Sequence, residues 1–253
     1  MCNVWVVAVK ICSTLAALLV VSIGLYSSGL QLDPVSLSDV RPSLGDIVGH
    51  MLTYSQWQNG ALREYQAHRR FYAANPRFNK DSTMEVMTIF QWPYSLRSTV
   101  IRQDGSDFIR EHVFEKIIEA ESDLAVNDQS DMIPKNYDFS YGGKDDCQGR
   151  PCWRLGIKPK RKDKYLIDGD IWVDSADYAV SRVHGSPSKR VSIWVSRVEI
   201  DTRLSRIEGV WLTNKIESSS SIRLVGDVSL QIEYVYDKVK VANDPNNLTT
   251  KRN

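Results

Sequence analysis

The sequence has no marked excess of charge of either sign. Of its 253 residues, 32 are lysine or arginine and 31 are aspartate or glutamate. Proteins that bind nucleic acids usually carry a basic excess that neutralises phosphates. The near balance of charge therefore argues against a nucleic-acid partner. The apolar fraction of 42% is ordinary for a globular protein with a hydrophobic core.

Motifs of catalysis and metal binding are also missing. The four histidines are scattered along the chain: His50, His68, His112 and His184. They form no H-E-x-x-H spacing, and neither a G-x-S-x-G elbow nor a phosphate-binding glycine loop is present. His184 stands beside Gly185 and is interpreted as a turn residue. We therefore expect no enzyme activity, no metal site and no cofactor.

Cysteine is scarce, with four residues in the chain. Cys2 and Cys12 lie in the N-terminal segment, whereas Cys147 and Cys152 enclose four residues that include a glycine and a proline. This spacing predicts a hairpin turn closed by a disulfide, which an oxidising compartment would preserve. The alternative is a reduced or metal-binding pair, but the second ligand pair of a structural zinc site is missing.

The N-terminus is typical of a targeting segment. Residues 11–26 contain no charge, and Lys10 precedes them. A basic residue followed by an apolar stretch and small residues predicts a secretory signal. We expect residues 1–29 to form a signal peptide or, if uncleaved, a membrane anchor helix, and residues 30–42 to form a linker. The protein is therefore expected to be exported.

Two segments have the apolar spacing of amphipathic helices. The first begins with Ser43 as N-cap and Asp46 three residues later, which resembles a capping box. Its apolar stripe consists of Leu44, Ile47, Val48, Met51 and Leu52. The stripe of the second segment consists of Ile109, Val113, Ile117, Ala120 and Leu124. Both stripes require a sheet or another helix to pack against.

Most of the remaining chain alternates between apolar and polar residues, as in strands with one buried face. Tyr65, Ala67 and Phe71 share one side, where Arg69 interrupts them. A change of parity predicts a bulge near residues 196–197. Residues 218–221 are interpreted as a polar turn, and residues 222–236 as one long strand whose Gly226 marks a point of curvature. Because so long a strand suits a curved sheet, we expect an α+β fold: a strongly curved antiparallel sheet, an unclosed barrel, with two covering helices.

One strand pair resembles a known family. Residues 165–174 read Tyr-Leu-Ile-Asp-Gly-Asp-Ile-Trp-Val-Asp, and residues 178–182 read Tyr-Ala-Val-Ser-Arg. They are similar to the G-x-I/L-W-V-D and Y-x-V/I-x-R strands of the outer-membrane lipoprotein-sorting (LolA-like) superfamily. The resemblance covers roughly residues 43–240, which leaves residues 241–253 as a flexible tail. It implies an unclosed barrel with a helical lid and an apolar cavity, in a periplasmic protein that carries lipoproteins or senses lipid or protein.

The apolar side of the long strand, together with two tryptophans, suggests which residues could line such a cavity. The candidates for the cavity wall are Ile222, Leu224, Val228, Leu230, Ile232, Tyr234, Trp172 and Trp194. The lid is either residues 43–58 or residues 106–124. In the carriers of that family an arginine holds the lid, but no position of this chain can be aligned to it from the sequence.

A basic run follows the cysteine hairpin. It contains Lys158, Lys160, Arg161, Lys162 and Lys164. These side chains could contact anionic headgroups of a membrane surface or a protein partner. The alternative is a solvated loop that protects a sheet edge from aggregation.

Two functions follow from these observations. The first is a carrier or receptor that binds acyl chains or lipidated proteins in an apolar concave cavity. The second is a non-catalytic regulatory or structural interaction module of the envelope, which a retained inner-membrane anchor would favour.

Overall fold

The computed structural model describes residues 42–93, 95–122, 131–190, 195–224 and 226–242. The expected signal or anchor, residues 30–41 of the linker and residues 243–253 of the tail lie outside these ranges. The chain begins with helix α1 (Leu44–Ala61) and strands β1 (Leu62–Asn75), β2 (Lys80–Gln91) and β3 (Ser95–Gly105). A second helical segment follows as α2 (Asp107–Ile109), a π-helical turn (Arg110–Phe114) and α3 (Glu115–Ser122). We call residues 107–122 the covering helix.

Seven further strands complete the described chain. They are β4 (Tyr137–Asp146), β5 (Pro151–Pro159), β6 (Ile167–Asp174), β7 (Val180–Pro187), β8 (Val195–Ile207), β9 (Val210–Ile222) and β10 (Gly226–Val241). All ten strands form one sheet in the order β3-β2-β1-β10-β9-β8-β7-β6-β5-β4. Each neighbouring pair is antiparallel. The curved sheet ends at β3 and β4 without closing, which confirms the predicted fold class.

Both helical segments pack on the same face of the sheet. A row of paired inward residues crosses the sheet through Leu155, Ile171, Val183, Thr202, Ile216, Ile232, Phe71 and Met84. Helix α1 covers the β4–β7 half of this row through Ile47, Val48 and Met51. The covering helix packs on the other half. The face beneath the helices is therefore the concave, apolar face that the strand pattern predicts.

Two local predictions are confirmed in detail. The hydroxyl of Ser43 accepts a hydrogen bond from the backbone N–H of Asp46, and the Asp46 carboxylate accepts one from the backbone N–H of Ser43. This capping box satisfies amide groups that the first turn of a helix leaves without partners. The register of β8 against β9 shifts between Val195 and Arg197, where the change of parity predicts a bulge.

The long final strand is the main error of the sequence interpretation. Residues 218–221 are not a turn but part of β9, and the chain turns at Arg223 and Leu224 before Gly226. Gly226 pairs with Ile222 across this hairpin rather than bending a strand. Leu224 and Gly226 both have positive φ, at 69° and 85°. The hairpin was missed because the apolar alternation continues through the turn, while the serine run resembles a loop.

Candidate functional site

The covering helix closes an apolar cluster on the concave face. The sheet contributes Phe71, Ala73, Met84, Val86, Val198, Ile200, Ile216, Leu230 and Ile232. The helix contributes three buried side chains, Ile109, Phe114 and Ile117. Phe114 is fully buried, and its ring centroid lies 5.5 Å from that of Phe71. Burial of these side chains stabilises the closed arrangement by about 1.5–3 kcal/mol for each large apolar group.

The π-helical turn sets which side of the covering helix faces the sheet. The predicted apolar stripe includes Val113. In the structure Phe114 is fully buried, whereas Val113 is only partly buried against the cluster. The turn Arg110–Phe114 adds one residue to the helical repeat, so that Phe114, five residues after Ile109, reaches the same face. Leu124 of the predicted stripe lies outside the described residues.

A buried ion pair joins the covering helix to the sheet. The guanidinium of Arg69 on β1 donates to both carboxylate oxygens of Glu121, with Nη1 2.6 Å from Oε2. The two side chains are only 1% and 3% exposed. Nη2 of Arg69 also lies 3.2 Å from the hydroxyl of Tyr234, and Nη1 lies 3.4 Å from Oγ1 of Thr88. The guanidinium also stands over the rings of Phe71 and Tyr234, 4.8 Å from each centroid.

The electrostatics of this cluster depend on the pairing. Burial disfavours the charge on Arg69, but the neighbouring carboxylate of Glu121 more than compensates, so the pKa of Arg69 lies above its ordinary value. Burial raises the pKa of Tyr234 to about 12, although Arg69 partly opposes the shift. A buried cation whose partner is removed would be strongly destabilising. The charged, buried Arg69 therefore favours the position of the covering helix in which Glu121 lies beside it.

Sequence reasoning did not identify Arg69 and Glu121 as functional residues. Arg69 was noted only as an interruption of the inward side of β1, yet that inward position is the signal that could have found it. A charged residue on the buried side of a strand requires a partner. Glu121 is separated from Arg69 by 52 residues, and only the packing of the covering helix brings the two together.

The predicted cavity residues fall into three groups. Leu230, Ile232 and Tyr234 lie in or at the edge of the apolar cluster, with Ile232 fully buried. Val228 and Ile222 are half-buried near the β9–β10 hairpin, and Leu224 is 75% exposed in its turn. Trp194 lies outside the described residues. The residues that β10 contributes to the cluster beneath the covering helix thus lie in the middle of this strand and not at its beginning.

Trp172 lies on the opposite face and forms no part of this cluster. Ile171 and Val173 point to the concave face, so Trp172 between them points outward. There it packs against Cys147 and Cys152, which form the predicted disulfide in the β4–β5 hairpin. Its indole Nε1 donates to Asp145 over 2.8 Å, and Arg182 stands over the ring at 4.6 Å.

The outer face carries a separate polar cleft of about 360 Å³. Its lining includes Tyr72, His184, Glu199, Asp201, Glu217 and Gln231. His184 lies within β7, not in a turn, and its Nε2 is 2.8 Å from Oε1 of Glu199. Asp201 accepts two hydrogen bonds from Arg182. Because these charged groups pair with each other, the cleft is suited to stabilising the sheet and not to holding an acyl chain.

Two features are absent from the described ranges. No helix there has both the length and the apolar character to cross a membrane. In the same part of the chain, no three histidine, cysteine or acidic side chains are arranged to hold a metal ion.

Comparisons with known proteins gave matches only among solved structures. No protein-family model and no curated protein matches the sequence. An outer membrane lipoprotein-sorting protein domain from Vibrio parahaemolyticus matches with 12% identity and a TM-score of 0.39, covering 79% of this chain and 94% of that one. A DUF1329 family protein from Desulfovibrio piger matches with 11% identity and a TM-score of 0.38, covering 78% and 92%.

A LolA superfamily protein from Nitrosomonas europaea also matches, with 9% identity and a TM-score of 0.35, covering 81% of this chain and 97% of that one. One of the solved structures to which this chain is similar is thus a protein of the superfamily that the strand-pair residues resemble. At these identities the similarity concerns the fold alone.

Proposed function

We propose that the protein is an exported, non-catalytic binding protein that holds an acyl chain, or the acyl group of a lipidated protein, against the concave face beneath the covering helix. One observation carries the proposal: a short helix covers an apolar half of the sheet, and a buried ion pair between Arg69 and Glu121 joins the helix to the sheet. The covering helix is therefore proposed as the lid, in preference to α1.

The chemistry of the covered surface supports an acyl ligand. Most of the covered sheet surface is apolar, with Ile200, Ile216 and Ile232 fully buried. If the helix moves away, an acyl chain can replace Ile109, Phe114 and Ile117 on this surface. Each buried methylene contributes about 0.8 kcal/mol, so a chain of several methylenes can compensate for the lost helix contacts.

Arg69 provides the polar end of the proposed site. When Glu121 leaves with the helix, water can reach the guanidinium; a ligand that then covers Arg69 must supply new acceptors, because a buried unpaired cation is unfavourable. A carboxylate, ester or phosphate oxygen at the head of an acyl ligand can accept its hydrogen bonds. In the closed arrangement, Nε of Arg69 has no hydrogen-bond partner among the described residues, which leaves one donor for such a group.

The direct test is native mass spectrometry, with lipid extraction, on the mature protein purified from its own envelope fraction. Co-purified acyl chains or a lipidated peptide would support the proposal and identify the ligand. A protein that carries no lipid and takes up none from membranes would contradict it. The mass of the mature N-terminus, from the same experiment, distinguishes a cleaved signal from a retained anchor.

A matched pair of variants on β10 locates the binding surface. Ile232→Thr changes a fully buried residue of the cluster, whereas Val235→Thr changes a residue that is 64% exposed. The loss of one to two buried methylene equivalents predicts about tenfold weaker acyl binding for Ile232→Thr. Val235→Thr should bind as the unsubstituted protein does. Equal binding by both variants, with folding confirmed by circular dichroism, would place the ligand elsewhere.

A second function is favoured by the exposed edge strand β3. Val100 and Ile101 on this strand are 43% and 52% exposed, and an unpaired strand edge can accept a strand from a partner protein. In this interaction module, a membrane-anchored partner would pair with β3. An envelope-purified protein that lacks lipid but co-purifies with one membrane protein would favour this function, and substitution of Ile101 by lysine should then abolish the co-purification.

A further inference from the structure

Three separate segments of the chain meet at one end of strands β4–β7. The backbone N–H of Lys160 donates to the carbonyl of Asn136 over 2.9 Å, which holds the basic loop against the start of β4. The hydroxyl of Ser188, after β7, donates to the carbonyl of Asp163 over 2.9 Å. These contacts bring together eight basic residues, which we call the basic end: Lys135, Lys158, Lys160, Arg161, Lys162, Lys164, Lys189 and Arg190.

The tertiary structure extends the basic run found in the sequence. Lys135, Lys189 and Arg190 are distant from it along the chain, and all three are exposed. The acidic residues in the same segments and at the start of β6 are Asp131, Asp138, Asp163 and Asp168. The basic end therefore has an excess of four positive charges, although the chain as a whole is nearly neutral.

Among the residues that the structure describes, much of this charge has no ion-pair partner. Lys160 lies 3.4 Å from Asp138, and Arg161 lies 3.7 Å from Asp163. Five other exposed residues form no ion pair with any residue that the structure describes: Lys135, Lys158, Lys162, Lys189 and Arg190. Like charges so concentrated repel one another, and a surface of opposite charge relieves that repulsion.

The chemistry around these cations favours a lipid surface. Tyr165 is half-buried beneath Lys164, whose Nζ stands 4.8 Å from the ring centroid. Close to Lys135, Ile133 is half-buried and Pro134 is exposed. Aromatic and apolar side chains among lysines are typical of surfaces that rest at the headgroup level of a bilayer.

We propose that the basic end docks the protein onto an anionic phospholipid bilayer. Each lysine or arginine close to such a surface contributes an attraction that falls off within a Debye length. Only the purpose of docking rests on the proposed function: docking would bring the apolar cluster close to acylated ligands. The docking itself does not require that function. The basic end lies in the β4–β7 half of the sheet, whereas the covering helix packs on the other half.

The test compares two triple variants of the full chain with identical net charge. Lys158→Gln/Lys162→Gln/Lys189→Gln neutralises three exposed cations of the basic end. Lys80→Gln/Arg97→Gln/Arg102→Gln neutralises three exposed cations on β2 and β3. Co-sedimentation is measured with phosphatidylcholine vesicles and with vesicles that also contain about 30% phosphatidylglycerol. The ratio of the two partition coefficients removes any contribution of the apolar residues 11–26, which would insert into both vesicles.

We expect the unsubstituted protein to prefer anionic vesicles, with a preference that decreases as salt is added. The basic-end variant should lose about 100-fold of this ratio, and the β2–β3 variant should lose little. Equal losses in the two variants would show an effect of net charge alone and overturn the proposal. A protein that shows no preference for anionic vesicles would also overturn the proposal. A basic end that binds acidic proteins but not lipid would give this result. Acyl binding, measured on the same variants, should be unchanged, which separates failure of docking from failure of the proposed function.

Discussion

Substitution of Glu121 by glutamine should release the covering helix from the sheet. Glutamine has nearly the same shape as glutamate but lacks its charge, so the contacts of the helix are otherwise retained. Arg69 would then remain charged, 1% exposed and without its carboxylate. Lifting the helix gives water access to the guanidinium, so the substitution favours opening over global unfolding.

The magnitude follows from the burial of the pair. Removing one partner of a buried ion pair costs about 3–5 kcal/mol. We take the lower end, about 3 kcal/mol, because the glutamine oxygen can still accept one hydrogen bond from Arg69. Since 1.4 kcal/mol corresponds to a factor of about ten, the opening equilibrium of the helix should rise about 100-fold.

Amide hydrogen exchange measures this opening directly. Exchange of the amides in residues 107–122 should accelerate by about the same factor, whereas amides in β6 and β7 should change much less. Glu119→Gln is the matched control, since Glu119 lies on the same helix and forms a 2.6 Å pair with Lys116 at 60% exposure. Such an exposed pair contributes little to stability, because solvent screens it.

The double variant Arg69→Met/Glu121→Met completes the experiment. Replacing both partners by apolar residues removes the unpaired charge, so slow exchange in the covering helix should return. Two results would refute the reasoning: equal acceleration in Glu121→Gln and Glu119→Gln, or acceleration in Glu121→Gln that extends equally to β6 and β7.

Three further predictions concern the rest of the fold. Tyr137→Phe should lower the free energy of unfolding by about 1–3 kcal/mol, because the buried Tyr137 hydroxyl accepts the backbone N–H of Ile167 over 3.1 Å; chemical denaturation, with the exposed Tyr72→Phe as control, measures it. Reduction of the Cys147–Cys152 disulfide, which links residues five apart, should lower the same quantity by about 2 kcal/mol through loop entropy, and an unchanged denaturation midpoint would contradict this. Burial opposes ionisation of Asp174, but hydrogen bonds from Arg150 and from backbone amides hold its pKa below the ordinary 3.8. The contribution of Asp174 to stability should therefore be fully present above that pH and be lost as the pH drops through the lowered pKa, so Asp174→Asn should reduce the acid loss of stability in urea titrations at successive pH values.

Local features of this protein could be predicted because their causes lie within a few residues. The capping box of α1 depends on Ser43 and Asp46, three residues apart. The disulfide depends on two cysteines at one hairpin, and the bulge in β8 follows from a change of parity at a single point. The alternation of apolar residues indicated strands with one buried face, from which the curved antiparallel sheet followed.

The errors arose where local patterns were ambiguous. Apolar alternation continued through the turn at Leu224, so one hairpin was interpreted as one strand. The π-helical turn changed the phase of the covering helix and exchanged Val113 for Phe114, which a regular helical repeat does not predict. Trp172 was placed in the cavity wall because a large aromatic residue suits either face of a sheet.

The sequence by itself determined the class of the fold, the first helix, the disulfide hairpin and the near neutrality of the chain. Only the tertiary structure decided that Arg69 meets Glu121, and that Lys135 and Lys189 join the basic loop. The physical reason is the same in both cases. Periodicity records whether a residue is buried or exposed, but which residues become neighbours depends on how strands pair and helices pack across the sheet. Both proposed sites of this protein depend on such neighbours.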